Sequence, residues 1–431
     1  MRKLFRNITI ATIALLSVQA FSQEREARDL DNFRYRDLRG VNQFEAPKDT
    51  VSTFDGLQVR IGGASTIQFQ GLSHESTGKP VDGDGNTIQL MDLGSNFNLP
   101  TANLDLDIHL YDGLRMHLRT YLSSRHHPEP YVKGGYIQID KLDFISEGFL
   151  EPLMNNVRIK IGHMENNYGD AHFRRSDNAQ ALYNPFVGNL IMDAFTTEVG
   201  AEVYYFNNGF MGMVGVTNGK LNQSVDKSND TGPSFLAKLG YDNMINDDLR
   251  LRLTGSVYHT NKSANSMLYN GDRAGSRYYL VMEAEGASPV SNFTSGRFNP
   301  GLRNEVTAIM FNPFVKYKGL EFFGTYERAT GKANAELDTR SFDQYAAELI
   351  YRFGNSENMY VGGRYNYVDG EMMGGTEVDM SRFNLAAGWF MTKNVLAKVE
   401  YVNQKYNGFP ASDLRNGGKF DGIMLEAIIS F

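Results

Sequence analysis

Ionisable side chains occupy every second position in several segments of this sequence. In the segment 104–110, Asp105, Asp107 and His109 alternate with leucine and isoleucine. A period of two is typical of a β-strand with one apolar face and one wet face. The alternation places these side chains on the wet faces of predicted strands: Arg60, Asp105, Asp107, Arg115, His117, Arg119, Arg158, Lys160, Glu198, Glu202, Arg250 and Arg252. Each of them could instead serve only in an ion pair within the wall.

A second group of ionisable residues lies in the long segment from 164 to 196, which has no strand period of its own. Its members are Asp170, His172, Arg174, Arg175 and Asp177. One interpretation is an external loop with solvated charges. The other is a loop folded into a barrel, where its charges would narrow the passage and set an ion preference. The apolar stretch NPFVGNLIMDAF (184–195) needs a wall to pack against and favours the inward fold.

One further motif is similar to a calcium-binding loop. Asp82, Asp84 and Asn86 have the right spacing, but Thr87 occupies the position that requires glycine and Leu93 the position that requires glutamate. We interpret this segment as a polar external turn.

Two short patterns near residue 125 are too sparse to predict chemistry. His126 and His127 lack further metal ligands, and Ser123, Ser124 and His126 lack a partner set for a catalytic triad. The sequence therefore predicts no metal site, no cofactor and no catalytic residue. An outer-membrane barrel enzyme remains an alternative, which protease or lipase assays of a Ser124→Ala variant would test.

The first 22 residues have the features of a secretory signal peptide. Arg2, Lys3 and Arg6 precede an apolar run that ends at Val18, and small residues precede a cleavage site after Ser22. Removing these three positive charges takes the formal net charge from −7 to −10, which argues against a nucleic-acid partner. The chain has no cysteine, so an exported protein of this kind needs another stabilising device, such as a closed β-barrel.

Residues 56–431 read as sixteen strands of a transmembrane antiparallel up-and-down β-barrel, an all-β fold. Short turns alternate with long connections, as single-chain membrane barrels require, and the segment 164–196 becomes the third external loop. The connection 141–156 is the exception, because it falls on the short side yet is long. The run YYLVM (278–282), inside another long loop, fits either a short strand outside the membrane or an inserted flap.

Residues 23–55 are densely charged with both signs, and we expect a solvated periplasmic extension. A plug and a short trimerising helix are the alternatives.

The last strand, KFDGIMLEAIISF, ends in the aromatic Phe431 and has apolar residues at alternate positions. Together with the signal peptide and the hairpin pattern, it resembles the outer-membrane barrel proteins of Gram-negative bacteria. Sixteen strands with a long loop after the fifth are similar to the general porin architecture, and FEAPKDT and FDGLQVRIGG resemble porins of the Bacteroidota. The resemblance implies a loop folded into the lumen, a homotrimer, contact with outer-membrane lipid and lipopolysaccharide, and recognition of the terminal strand by the barrel-assembly machinery.

The resemblance and the wet strand faces together predict a porin in the cell outer membrane that passes small hydrophilic solutes by diffusion. Basic residues outnumber acidic ones on the wet faces of the first nine strands, and the long loop adds two arginines, so we expect a mild preference for anions. The runner-up is a gated, substrate-specific transporter in which residues 23–55 form a plug.

Overall fold

The computed structural model describes residues 30–122, 131–177, 179–221, 231–270, 277–288, 291–292 and 296–431. Along this part of the chain, sixteen β-strands pair antiparallel with their neighbours in sequence. The first strand also pairs with the last, so the sheet closes into a barrel. This confirms the predicted all-β, sixteen-stranded antiparallel fold. The signal peptide and the residues Ser123, Ser124, His126 and His127 lie outside the described residues.

The strands are β1 (Gln58–Glu75), β2 (Asn96–Tyr111), β3 (Leu114–Leu122), β4 (Tyr131–Ile139), β5 (Val157–Glu165), β6 (Thr197–Asn207), β7 (Phe210–Thr217), β8 (Ser234–Met244), β9 (Leu249–Thr260), β10 (Glu305–Tyr317), β11 (Leu320–Lys332), β12 (Arg340–Phe353), β13 (Met359–Glu371), β14 (Glu377–Thr392), β15 (Val395–Asn407) and β16 (Lys419–Ser430). The helical elements in the described ranges are one α-helix, α1 (Glu151–Met154), and the 3-10 turns Leu38–Gly40, Ala171–Arg174, Ala181–Tyr183 and Asn355–Glu357. No helix within the described ranges is long and apolar enough to span a membrane.

Side chains alternate between the two faces of the barrel wall. In β16, Ile423, Leu425 and Ile429 are exposed on the outer face, whereas Met424 and Ile428 between them are buried on the inner face. This alternation is the one expected for a wall with hydrocarbon outside. The same period of two that predicted the strands therefore also fixes which residues face inward.

Hairpin turns are where the sequence predicts them. β2 and β3 are joined by Asp112 and Gly113, and the positive φ of +68° at Gly113 is a conformation that glycine adopts without strain. The long connection 141–156 contains α1, so its length reflects a small helical excursion and not an extra pair of strands.

The carboxyl terminus completes the seam of the barrel. β16 pairs with β1 from Ser430 opposite Ala64 to Lys419 opposite Glu75. Phe431 continues the ladder, because its backbone N–H and C=O bond to the C=O and N–H of Gly63 at 3.0 and 2.9 Å.

The run 278–282 is not a strand. Tyr279 forms two hydrogen bonds of 2.9 Å to the Gln70 side chain, and the Tyr278 hydroxyl donates to Glu400 at 2.6 Å. Gln70 and Glu400 lie on the inner faces of β1 and β15. The alternative of a strand outside the membrane is therefore wrong, and the segment is an inserted flap.

Candidate functional site

The long loop, residues 166–196, connects β5 to β6, and each of its described residues is buried or half-buried. The backbone N–H groups of Val187, Ile191 and Met192 donate to Glu400, Asn366 and Gln344 at 2.8, 2.6 and 2.9 Å. These acceptors belong to β15, β13 and β12, which lie opposite β5 and β6 in the ring of strands. The apolar half of the loop thus packs against the opposite wall of the barrel, formed by β12 to β15.

Asp170 fixes the start of the long loop to the wall. Its carboxylate accepts two hydrogen bonds from Arg252 at 2.8 and 2.9 Å and one from the Thr254 hydroxyl at 2.8 Å. The Lys238 ammonium lies 2.7 Å away. Burial raises the pKa of Asp170, but attraction to Arg252 and Lys238 outweighs this effect and holds the pKa well below its usual range.

The other four loop residues predicted to line a constriction all have partners. His172 contacts Glu165 at 2.6 Å, and Asp177 binds Lys133 at 2.6 Å. Arg174 binds Glu348 at 3.0 Å and Arg175 binds Asp193 at 3.0 Å. The two arginines border a small cavity of about 20 Å³, together with the carboxylates that neutralise them.

The N-terminal segment, residues 30–49, is buried or half-buried throughout, which differs from the expected solvated extension. Arg158 donates to the carbonyl oxygens of Ala46 and Pro47 at 2.7 and 2.6 Å, and the Gly40 carbonyl accepts a 3.0 Å bond from Arg34. Glu45 forms ion pairs to Lys238 and Arg252 at 3.1 and 2.8 Å. The charges of this segment are therefore used in contacts with the wall rather than in hydration.

A cavity of about 120 Å³ remains between these two segments and the wall of β3 to β6. Its lining has two carboxylates, Glu45 and Glu165. Its seven basic residues are Arg34, Arg36, Arg115, Arg119, Lys133, Arg158 and Lys160, and His117 and His172 also line it. We call this space the lumen cavity. Its basic lining makes it the candidate functional site.

Lys133 reaches the lumen cavity because of a β-bulge. Arg119 pairs with Gly134, but Thr120 pairs with Val132, so Lys133 is the extra residue in β4. A bulge interrupts the alternation of side chains between the two faces of a strand, and as a result the consecutive residues Lys133 and Gly134 both face the lumen cavity. Period-two reasoning that begins β4 at Gly134 cannot find this lysine.

The structure divides the predicted wall residues into three groups. Arg115, His117, Arg119, Arg158 and Lys160 line the lumen cavity. Asp105 and Asp107 lie behind them, bonded to Arg119 and Arg115 at 2.6 and 2.8 Å. The residues placed elsewhere on the wall are Arg60, Glu198, Glu202, Arg250 and Arg252.

Reasoning from the sequence did not identify several residues that line the lumen cavity. Arg34 and Arg36 belong to the N-terminal segment, whose alternation of aromatic and basic residues in NFRYR was the available signal. Within the described ranges, no group of three or more His, Asp or Glu side chains is placed to hold a metal ion.

No protein-family model matches the sequence, and no curated protein matches it. Solved structures do match. An anion-selective porin from Comamonas acidovorans is 12% identical, with a TM-score of 0.53 covering 87% of this chain and 100% of that chain. The outer membrane channel DcaP of Acinetobacter baumannii is 12% identical, with a TM-score of 0.53 covering 87% of this chain and 98% of that chain.

The trimer form of OmpT, an outer membrane protein of Vibrio cholerae, is 13% identical, with a TM-score of 0.52 covering 88% of this chain and 100% of that chain. At such identities the likeness is one of fold, and function depends on the site. The chain has the sixteen-stranded barrel fold of the Gram-negative outer-membrane porins.

Proposed function

We propose that this protein is a porin of the cell outer membrane, through which small hydrophilic solutes diffuse passively, with a preference for anions. The observation that carries the proposal is the lumen cavity, with seven basic and two acidic side chains in its lining. A channel of this kind uses no cofactor and performs no catalysis.

The electrostatics of the lumen cavity favour anions. Asp107, Asp105 and Asp140 bind and neutralise Arg115, Arg119 and Arg158. The uncompensated positive charge of the lining therefore comes from residues such as Arg34 and Lys160, whose contacts are to uncharged groups. A narrow passage bounded by low-dielectric protein focuses this positive field. Arg174 and Arg175 contribute little to it, because Glu348 and Asp193 neutralise them.

The long loop has the role of the constriction in this proposal. It leaves β5, reaches the inner faces of β12 to β15 and returns to β6, so it narrows the lumen between them. Its anchors are Asp170 at one end and the backbone bonds of Val187 to Met192 at the other.

The contacts of the N-terminal segment favour a second candidate, a gated transporter in which this segment is a plug. Lys48 binds Asp140, and the Arg36 carbonyl accepts a bond from Ser430 at 2.7 Å. Asp140 and Ser430 both lie near the end of the barrel that carries the short turns. The two candidates differ in whether the segment stays in place while solutes pass.

We further propose a homotrimer in contact with outer-membrane lipid and lipopolysaccharide, inserted by the barrel-assembly machinery through the strand that ends at Phe431. The exposed apolar outer face and the exposed terminal Phe431 support this proposal, as does the trimeric form of the Vibrio cholerae neighbour. Cross-linking in membranes should give a ladder that ends at three subunits.

Liposome swelling tests the channel proposal. Proteoliposomes should swell in isotonic solutions of a small sugar or a small amino acid, at a rate that falls with solute size. A rate equal to that of protein-free liposomes for every solute would contradict a diffusion porin. Protease and lipase assays of the same preparation test the enzyme alternative.

A further inference from the structure

Lys160 of the lumen cavity has no carboxylate within ion-pair distance among the described residues. Its ammonium contacts the Tyr204 hydroxyl at 3.4 Å and lies 5.6 and 5.0 Å from the ring centroids of Tyr136 and Tyr204. Aromatic faces stabilise a cation but leave its charge in place. Lys160 therefore contributes a full positive charge to the cavity.

Arg34 contributes positive charge in the same way, and Arg36 shares its one nearby carboxylate with Arg119. Arg34 donates to the carbonyl oxygens of Gly40 and Phe173 and stacks on the Tyr183 ring at 3.8 Å, and none of these partners is charged. Arg36 lies 3.8 Å from Asp105, a carboxylate that already binds Arg119 at 2.6 Å.

Arg36 also has an unused donor. Its Nε atom is buried and has no hydrogen-bond partner. The Nε atom of Arg115, another lining residue, is in the same condition. Buried donors without acceptors, beside uncompensated positive charge, are the features that a bound anion would satisfy.

We propose that the lumen cavity binds a compact oxyanion with two negative charges, and that the N-terminal segment completes the site by supplying Arg34 and Arg36, which line the cavity together with Lys160. The proposal rests on the porin function and names its solute class. Guanidinium groups present paired N–H donors that match the oxygens of such an anion. The volume of about 120 Å³ limits the ligand to a small one, and inorganic phosphate and malonate both fit this chemistry.

The test is a titration of chloride current through the full-length porin in planar bilayers. Added phosphate or malonate should reduce the current in a saturable way, whereas acetate at the same concentration should not. Lys160→Gln and Arg36→Gln should each raise the half-blocking concentration about tenfold, the effect of losing one charge-assisted contact. Lys79→Gln, which removes the same charge from an exposed residue of the first external loop, is the matched control.

A block by phosphate or malonate that Lys160→Gln and Arg36→Gln weaken, and that Lys79→Gln does not, supports the site. Whichever of the two dianions blocks shows whether the site takes an inorganic or an organic oxyanion. Current that neither dianion reduces, or a block that Lys160→Gln and Lys79→Gln change equally, would overturn it. Chloride selectivity measured in the same bilayers separates this failure from a failure of the porin function. Heat-dependent migration on gels shows that each variant is a folded barrel.

Discussion

Glu45 of the N-terminal segment and Asp170 of the long loop bind the same two cations, Lys238 and Arg252. The Lys238 ammonium lies 3.1 Å from Glu45 and 2.7 Å from Asp170, and Arg252 lies 2.8 Å from each carboxylate. One pair of wall residues, on β8 and β9, therefore binds both the N-terminal segment and the long loop. Because the cluster is buried, loss of one carboxylate leaves positive charge without its partner.

Glu45→Gln should loosen the N-terminal segment and raise single-channel conductance toward that of a chain lacking residues 30–49. The neutral amide cannot offset the charges of Lys238 and Arg252, and breaking a buried pair of this kind costs about 3–5 kcal/mol. Asp55→Asn is the matched control, since it removes the same charge from an exposed residue whose carboxylate accepts a hydrogen bond from the Gln58 amide at 2.7 Å. If deletion of 30–49 leaves conductance unchanged, the segment does not obstruct the channel.

Acid should release the N-terminal segment only at very low pH. Burial raises the pKa of Glu45, but Arg252 and Lys238 outweigh it and lower the pKa to about 2, from a usual value of 4.5. Because the pKa of Glu45 is lower in the docked state, its ionised carboxylate stabilises docking at pH values above its usual pKa of 4.5. This contribution is lost as the pH falls through the docked-state pKa of about 2.

Conductance should therefore keep its neutral-pH value to about pH 4 and rise only as the pH approaches about 2. Single-channel recordings across this range check the expectation, and the Glu45→Gln variant should lack the transition. A rise that is already complete at about pH 5 would show that these ion pairs do not hold the segment.

Gly169→Ala should disturb the anchor of the long loop. Gly169 has a φ of +69°, and a Cβ there would overlap the Met310 sulfur. The left-handed backbone alone costs alanine roughly 1–2 kcal/mol, and the overlap adds to it. We expect a displaced Asp170 and larger fluctuations of the open-channel current. Gly94→Ala, where a Cβ meets open space, should leave the current unchanged; equal fluctuations in both variants would count against the anchor.

The barrel was predictable from the sequence because a wall between hydrocarbon and water imposes a period of two. The turn at Asp112 and Gly113 and the apolar positions of β16 follow directly from that rule. The inward direction of Arg115, His117 and Arg119 follows from the same rule, because an unpaired charge at mid-membrane is costly.

The lumen cavity was less predictable, because its lining depends on contacts between distant parts of the chain. Lys133 enters it through a one-residue bulge that alternation cannot reveal. Arg34 and Arg36 belong to a segment whose charge density indicated solvation, yet their partners Phe173 and Asp105 are far away in sequence. Arg174 and Arg175 were predicted to line a constriction, but their neutralising partners, Glu348 and Asp193, could not be inferred from composition.

The reversal potential across a planar bilayer with a potassium chloride gradient tests anion preference most directly. The basic lining of the lumen cavity predicts a potential of the sign that chloride permeation gives, and Lys160→Glu should shift it toward zero. Equal permeability to potassium and chloride in the unmodified protein, or a preference for potassium, would contradict the account.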